Sequence, residues 1–196
     1  MIIRPENTVS ILLAAGQSRR FGDADKLLTL WQGRPLVARS AAMLASIPFR
    51  RRILVGSAAV IGLGLDGFEA IETDDPTAPQ SHSLSLGMEA AVTSSIDAVL
   101  IALADMPLIE ADHVKAIFAK ATHLSSSVAS SDGTVSMPPA LFGRTHFKAL
   151  CELTGDQGAR HLLANAQQVL LPAEALVDID TLADFDFLKR KKIGSL

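Results

Sequence analysis

Residues Thr8 to Leu13 form an apolar, strand-forming run that breaks into Ala14-Ala15-Gly16-Gln17-Ser18-Arg19-Arg20-Phe21-Gly22, with Lys26 close behind. A chain that leaves a buried strand through small residues and then presents cations has few folding options. Such a loop offers backbone amides and positive charge at the carboxyl end of a sheet, where α/β proteins hold polyphosphates. The alternative is a plain strand-to-helix turn, which leaves Arg19, Arg20 and Lys26 without a role.

The remainder of the chain agrees with an α/β class. Strand-like runs at Val9–Leu13, Arg52–Val55, Phe68–Glu72 and Ala98–Leu103 alternate with helical spacing over Leu36–Ile47, Ser83–Thr93 and Asp112–Thr122. Ala98–Leu103 is apolar throughout, the pattern of a parallel strand buried on both faces. Serines at 125–127 and 130–131, followed by Asp132-Gly133, break the alternation, and Pro138-Pro139 permits only an edge or bulged strand. Helices are expected again at Thr145–Leu150, Asp156–Ala164 and Thr181–Arg190, with a short strand at Val169–Leu171. The expectation is a single domain over residues 1–196, with a mostly parallel sheet and helices on both faces.

Composition narrows the function classes. With 196 residues and a net charge of −3, the chain lacks the basic balance of a general nucleic-acid binder. Arg50-Arg51-Arg52 reads as a solvated strand entry, and Lys189-Arg190-Lys191-Lys192 complements a helix dipole. No apolar run approaches the ~20 residues of a membrane span, and Met1–Asn7 lacks the pattern of a signal peptide, so a cytoplasmic protein is expected. A single cysteine, Cys151, excludes an internal disulfide, and the five histidines show no zinc-ligand spacing.

Two familiar nucleotide loops fail on spacing. A P-loop needs four residues between its glycines and then Lys; here five separate Gly16 from Gly22 and Asp23 follows. In a dinucleotide fingerprint the second glycine lets backbone approach pyrophosphate, and Ser18 stands there.

The loop instead resembles the opening L-A-A-G-x-[GS]-x-R-[FM]-G signature, with a later lysine, of the MobA-like NTP transferases. The resemblance implies a Rossmann-like, glycosyltransferase-A-type, three-layer α/β/α nucleotidyltransferase fold. It also implies that Leu13, Ala14, Ala15, Gly16, Ser18, Arg19 and Lys26 wrap and neutralise a triphosphate. The Ala14-Ala15 pair is similar to members that use CTP rather than GTP. Leu103-Ala104-Asp105-Met106-Pro107 matches the family's metal motif, which makes Asp105 the expected Mg²⁺ ligand and, with Arg19 and Lys26, a catalytic residue; as a bare sequence Asp105 could equally serve a turn. A carboxylate beyond a central strand suits Mg²⁺, which takes one or two carboxylates plus substrate phosphates.

Three further segments follow the family order. Gln80–Gly87 is similar to an element that reads the base, carrying Ser81, Ser83, Leu84 and Gly87 into the nucleotide site, with Pro79 in place of the usual leading glycine. The string Gly155-Asp156-Gln157-Gly158-Ala159-Arg160, downstream of Pro139-Ala140-Leu141-Phe142, looks like the branch acting on the molybdenum cofactor. It implies acceptor contacts from Pro139, Gly155, Asp156, Gly158 and Arg160. Met137-Pro138-Pro139 stands where many members have Gly-His-Pro. Asp178-Ile179-Asp180-Thr181-Leu182-Ala183-Asp184 resembles the closing D-[IV]-D-T-P-x-D element, in which Asp180 is a candidate second metal ligand; Thr181 and Asp184 also fit a capping pair.

The implied reaction moves a nucleotidyl group from an NTP, CTP favoured, to a phosphate-bearing acceptor such as molybdopterin, with release of pyrophosphate. A molybdoenzyme or its chaperone is a candidate partner. The rivals are a guanylyltransferase for the same cofactor, a sugar-phosphate nucleotidylyltransferase and a cofactor chaperone whose catalysis has lapsed.

Overall fold

The computed structural model describes residues 2–16, 21, 25–75, 77–92, 95–155 and 160–190. Its centre is a seven-stranded sheet built from β1 (Thr8–Ala14), β4 (Arg51–Gly56), β5 (Glu69–Glu72), β6 (Ala98–Leu103), β7 (Ser127–Ser131), β8 (Ser136–Gly143) and β9 (Gln167–Leu170). The strand order is β5-β4-β1-β6-β8-β7-β9. Neighbours are parallel except where β8 meets β6 and β7, so β8 alone runs against the rest. The expected mostly parallel sheet is what the chain forms.

Alternation of side chains along each strand feeds two cores. In β1, Leu12 and Ala14 enter one core while Val9, Ile11 and Leu13 enter the other, and all seven residues of the strand are buried. β6 divides in the same way, with Ala98, Leu100 and Ala102 on one face and Val99 and Ile101 on the other. The first face is covered by α1 (Leu36–Ala45) through Val37, Ala41 and Leu44, by Val60 of the short α2 (Ala58–Ile61), and by α4 (Ala111–Lys120) through Val114, Ile117 and Phe118. The opposite face is covered by α3 (Gln80–Ala91) through Leu84, Met88 and Ala91, with α5 (Phe147–Cys151) and α6 (Arg160–Leu163) beside it. This is the three-layer arrangement expected from the motifs.

A hairpin of β2 (Leu30–Trp31) and β3 (Arg34–Pro35) turns through Gln32 and Gly33, both at positive φ (52° and 79°). With Phe21, Leu36 and Ile179 it packs on Phe185 and Leu188 of α7 (Leu182–Arg190). Phe21 and Phe185 meet edge to face at 5.7 Å. Among the described residues no helix is long and apolar enough to cross a membrane.

One expectation changes, and another resolves to one of its two alternatives. The serine stretch contains β7, an interior strand in which Ser130 and Ser131 are 0% exposed. The proline strand β8 is interior too, and it is tolerated by a bulge: pairing with β7 jumps from Ala129–Ala140 to Ser130–Met137, which skips Pro138 and Pro139. On its other side β8 pairs with β6 only from Ala140 to Gly143, so neither proline is asked for a ladder donor.

Candidate active site at the carboxyl end of the sheet

β1 and β6 are adjacent and parallel, so the segments that follow them leave the same edge of the sheet. Ala104 N–H donates to the Leu13 carbonyl (3.0 Å), which extends the pairing one step and sets Asp105 beside Ala15 and Gly16. The Ser40 hydroxyl of α1 donates to the Ala104 carbonyl (3.2 Å) and braces that step from beneath. Ile179 N–H donates to the Asp105 carbonyl (2.9 Å), drawing the Asp178–Asp180 segment alongside.

Lys26 sits at the meeting point, only 5% exposed. Its Nζ donates to Asp105 Oδ2 (2.8 Å) and to Asp180 Oδ1 (2.7 Å). Burial disfavours the ammonium, but Asp105 and then Asp180 outweigh it and raise the Lys26 pKa above its ordinary value. Asp180 is held from behind: Asp184 Oδ2 accepts from Asp180 N–H (3.2 Å), Thr181 N–H (2.7 Å) and the Thr181 hydroxyl (2.7 Å). Capping and site formation are therefore both present in this segment, capping by Thr181 and Asp184 and the site by Asp180. Asp178, whose side chain still reaches solvent, has its pKa raised by burial and by the nearby Asp180 and Asp105.

Two connected cavities open here. The smaller, of 90 Å³, is lined by Ala14, Ala15, Gly16, Lys26, Ser83 and Asp105. The larger, of 710 Å³, has mainly apolar walls from Leu84, Ile101, Met106, Met137, Pro138 and Leu176, with Gln168 and Asp178 among its polar groups. Leu13, Gln80 and Leu103 line both. The paired carboxylates suit a hard cation that shares its ligands with phosphate oxygens. Asp105 Oδ1 is buried and has no hydrogen-bond partner among the described residues, an acceptor in reserve for such an ion. Among those residues no group of three or more His, Cys, Asp or Glu side chains could hold a metal by itself.

Most expected nucleotide residues converge on these cavities, and some do not. Leu84 lines the larger space with Leu13, while Ser81 is buried in the first turn of α3 and lines neither cavity. α3 begins at Gln80 behind Pro79, so Ser81 and Ser83 lie inside the helix rather than capping it. Gly87 belongs to packing: a Cβ there would stand 2.7 Å from Ile11 Cγ2 and 3.3 Å from Val55 Cγ2, so the missing side chain lets α3 sit close on β1 and β4. Ser18 and Arg19 lie outside the described residues, as do Asp156 and Gly158.

The acceptor expectation shifts along β8. Pro139 is buried, its carbonyl accepting from the Ser130 hydroxyl (2.9 Å), and it is Met137 and Pro138 that line the larger cavity. Gly155 is exposed at φ +77°, a turn residue in open space, and Arg160 opens α6.

Behind that wall lies a network with no sequence signal. Ser130 spends its one proton on the Pro139 carbonyl, so the 2.8 Å contact with His113 Nε2 must be donated by the imidazole. This places the His113 proton on Nε2. The β7–β8 turn is fixed by Asp132, whose Oδ1 accepts from the Thr134 hydroxyl, Thr134 N–H and Val135 N–H; these bonds hold its pKa down to about 2. Thr134 and Val135 then form part of the larger cavity's rim. Its walls come from residues scattered over the chain; Leu13, Leu84, Leu103 and Met106 belong to motifs legible in the sequence, whereas Ile101, Thr134, Val135, Gln168 and Leu176 carried no such signal.

Comparison with known proteins agrees with this geometry. Residues 10–169 match the model of the MobA-like NTP transferase domain. The purine catabolism protein PucB of Bacillus subtilis (strain 168) is 30% identical over 205 residues, covering 96% of this chain and 98% of that protein. Rv0371c of Mycobacterium tuberculosis H37Rv superposes with a TM-score of 0.81 at 22% identity, covering 95% of this chain and 100% of that one, and has also been solved in complex with manganese. A nucleotidyl transferase from Methanothermobacter has a TM-score of 0.78 at 18% identity, covering 93% and 95%. At those identities the two structures speak for the fold, and the family match together with PucB speaks for descent. This chain belongs to the MobA-like NTP transferase family.

Proposed function

We propose that residues 1–196 act as one Mg²⁺-dependent nucleotidyltransferase domain that moves CMP from CTP to a phosphate-bearing acceptor, molybdopterin, in the cytoplasm. The observation that carries this reading is the meeting of Lys26 with Asp105 and Asp180 beside a small cavity that shares Leu13, Gln80 and Leu103 with a larger one whose walls are mainly apolar. A triphosphate needs charge neutralisation and a fixed pose; an acceptor with a ring body needs apolar walls.

In this scheme the loop after β1 and Ser83 bind the nucleotide, with Arg19 and Lys26 neutralising the departing phosphates. Ala14 and Ala15, in place of the smaller and more flexible Ala-Gly or Gly-Gly pairs, favour the cytosine base. Asp105 and Asp180 would hold Mg²⁺, which when bound supplies Lewis-acid polarisation of the α-phosphate. An oxygen of the acceptor phosphate forms the new bond to the α-phosphorus while the bond to the β-phosphate oxygen breaks, and pyrophosphate leaves with that electron pair. The acceptor phosphate is already ionised at neutral pH, so no protein base is required; positioning and electrostatics suffice. Met137 and Pro138 orient the acceptor body, and Gly155, Asp156, Gly158 and Arg160 engage its phosphate end.

The test pairs binding with turnover. With Mg²⁺ present, CTP should raise the melting temperature more than GTP, ATP or NAD, since ligand at 100 times its Kd stabilises by about 2.7 kcal/mol. Pyrophosphate should appear only when CTP and molybdopterin are both supplied. A preference for GTP makes the chain a guanylyltransferase; turnover on sugar phosphates replaces the acceptor. Molybdopterin binding with no turnover on any NTP would make it a chaperone and overturn the enzymatic reading.

A further inference from the structure

Lys26 is an expected member of the site in an unexpected place. A lysine meant only for a triphosphate would wait at the cavity edge, where its hydrated head costs little. Here the ammonium is buried and donates to both candidate metal-holding carboxylates at 2.8 and 2.7 Å. Asp105 and Asp180 arrive from different segments, one following β6 and one preceding α7. Two carboxylates held close repel each other, and the lysine ammonium between them offsets that repulsion.

The same oxygens are those a hard divalent cation would take. An ammonium and a divalent cation cannot share them closely, because a single positive charge and a double one would face each other across one carboxylate, with the ammonium and Asp105 largely shielded from solvent. The lysine stem is flexible and its head is a mobile point charge, so it can leave where a rigid guanidinium would be held in its fork geometry. Departure needs a destination of at least equal negative charge. The polar cavity that Lys26 and Asp105 line together with Gly16 and Ser83 is where a triphosphate would supply it.

We propose that Lys26 is an exchangeable counter-ion: it holds Asp105 and Asp180 together before ligands arrive, blocks a divalent cation that comes alone, and yields the carboxylates when cation and triphosphate arrive together. This rests on the nucleotidyltransferase reading for the nature of the ligand that draws the ammonium away. Lys26 thereby makes metal affinity conditional on the nucleotide, and the coupling is reciprocal, so each ligand tightens the other by the same factor.

The experiment measures Mn²⁺ binding by the free-ion electron paramagnetic resonance signal, on the full chain, with and without a non-hydrolysable CTP analogue. Wild type should bind Mn²⁺ alone at least tenfold more weakly than Lys26→Met, and the analogue should tighten Mn²⁺ binding by wild type at least tenfold but bring a much smaller gain in the variant. Equal or weaker Mn²⁺ binding by Lys26→Met overturns the proposal, because it makes the lysine a mere support for the carboxylates. A measurement on wild type stands if the variant does not fold: by nitrogen-15 NMR of the lysine ammonium, the Lys26 signal should stay in place with Mg²⁺ alone and shift when Mg²⁺ and the CTP analogue are added together. A Lys26 signal unchanged by the two ligands together refutes the exchange. Failure of the nucleotidyltransferase reading looks different, since CTP then gives wild type no thermal stabilisation whatever Lys26 does.

Discussion

Replacing Ser130 by Ala removes one oxygen from a site that water does not reach, and the cost can be worked from its two bonds. The hydroxyl is 0% exposed; it donates to the Pro139 carbonyl at 2.9 Å and accepts from His113 Nε2 at 2.8 Å. The smaller side chain leaves the carbonyl short of a donor and the imidazole N–H short of an acceptor. A buried polar group stranded in this way costs about 1–3 kcal/mol, so the two together cost about 2–6 kcal/mol. His113 retains 7% exposure, enough for partial rehydration, which places the expected loss in the lower half of that range, at about 3 kcal/mol. For a chain of this length that is roughly a 6–12 °C fall in Tm. Urea unfolding followed by circular dichroism measures it, and a double-mutant cycle with His113→Phe isolates the shared bond. A loss of under about 1 kcal/mol, or a coupling energy indistinguishable from zero, would refute the network.

Other outcomes follow from the same geometry. Burial lowers the His113 pKa, so the folded protein keeps this ring neutral while the unfolded chain protonates near pH 6.5. Stability from this group is therefore complete above about pH 6.5 and is lost as pH falls from there toward the folded pKa; His113→Gln should flatten that part of a stability–pH curve, and a parallel wild-type curve would contradict the assignment. Gly87→Ala should destabilise despite its better helix propensity: the contact 2.7 Å from Ile11 implies an overpacking cost of about 1–3 kcal/mol against a gain of at most about 1, and a raised urea midpoint would show that α3 is not tightly seated. Asp105→Asn should leave the circular dichroism spectrum intact and reduce turnover by roughly 100-fold or more, as loss of several kcal/mol of charge stabilisation requires. Retained turnover would remove Asp105 from the chemistry.

The parts of this molecule that were legible in its sequence are those whose physics is local. The apolar runs of β1 and β6, the small-residue loop at Gly16 and the carboxylate of Asp105 each carry their signal within a few positions. β7 was hidden because its serines break the apolar alternation, whereas Ser130 and Ser131 are buried by strands on both sides. Between an edge and a bulged place for β8 its own residues did not decide, because the compensation for two prolines lies in its partner's register. At the site, resemblance placed Lys26 on phosphate; its contact with Asp180 spans 154 positions, and no local pattern encodes that. That Met137 and Pro138 rather than Pro139 line the larger cavity likewise depends on which way a bulge turns.

The long reach of Lys26 has a consequence for how the protein is made. Its partners follow 79 and 154 residues later, and the second comes from a segment that docks only after every strand of the sheet has been synthesised. At about 5–20 residues per second, a nascent chain would carry Lys26 for roughly 8–30 s before Asp180 is added. During that interval the sheet around β1 can assemble, but the pair of carboxylates cannot. The cluster around Lys26 is thus completed only after every strand of the sheet, and a polypeptide interrupted before Asp180 would bury Lys26 against Asp105 without Asp180 to share its charge.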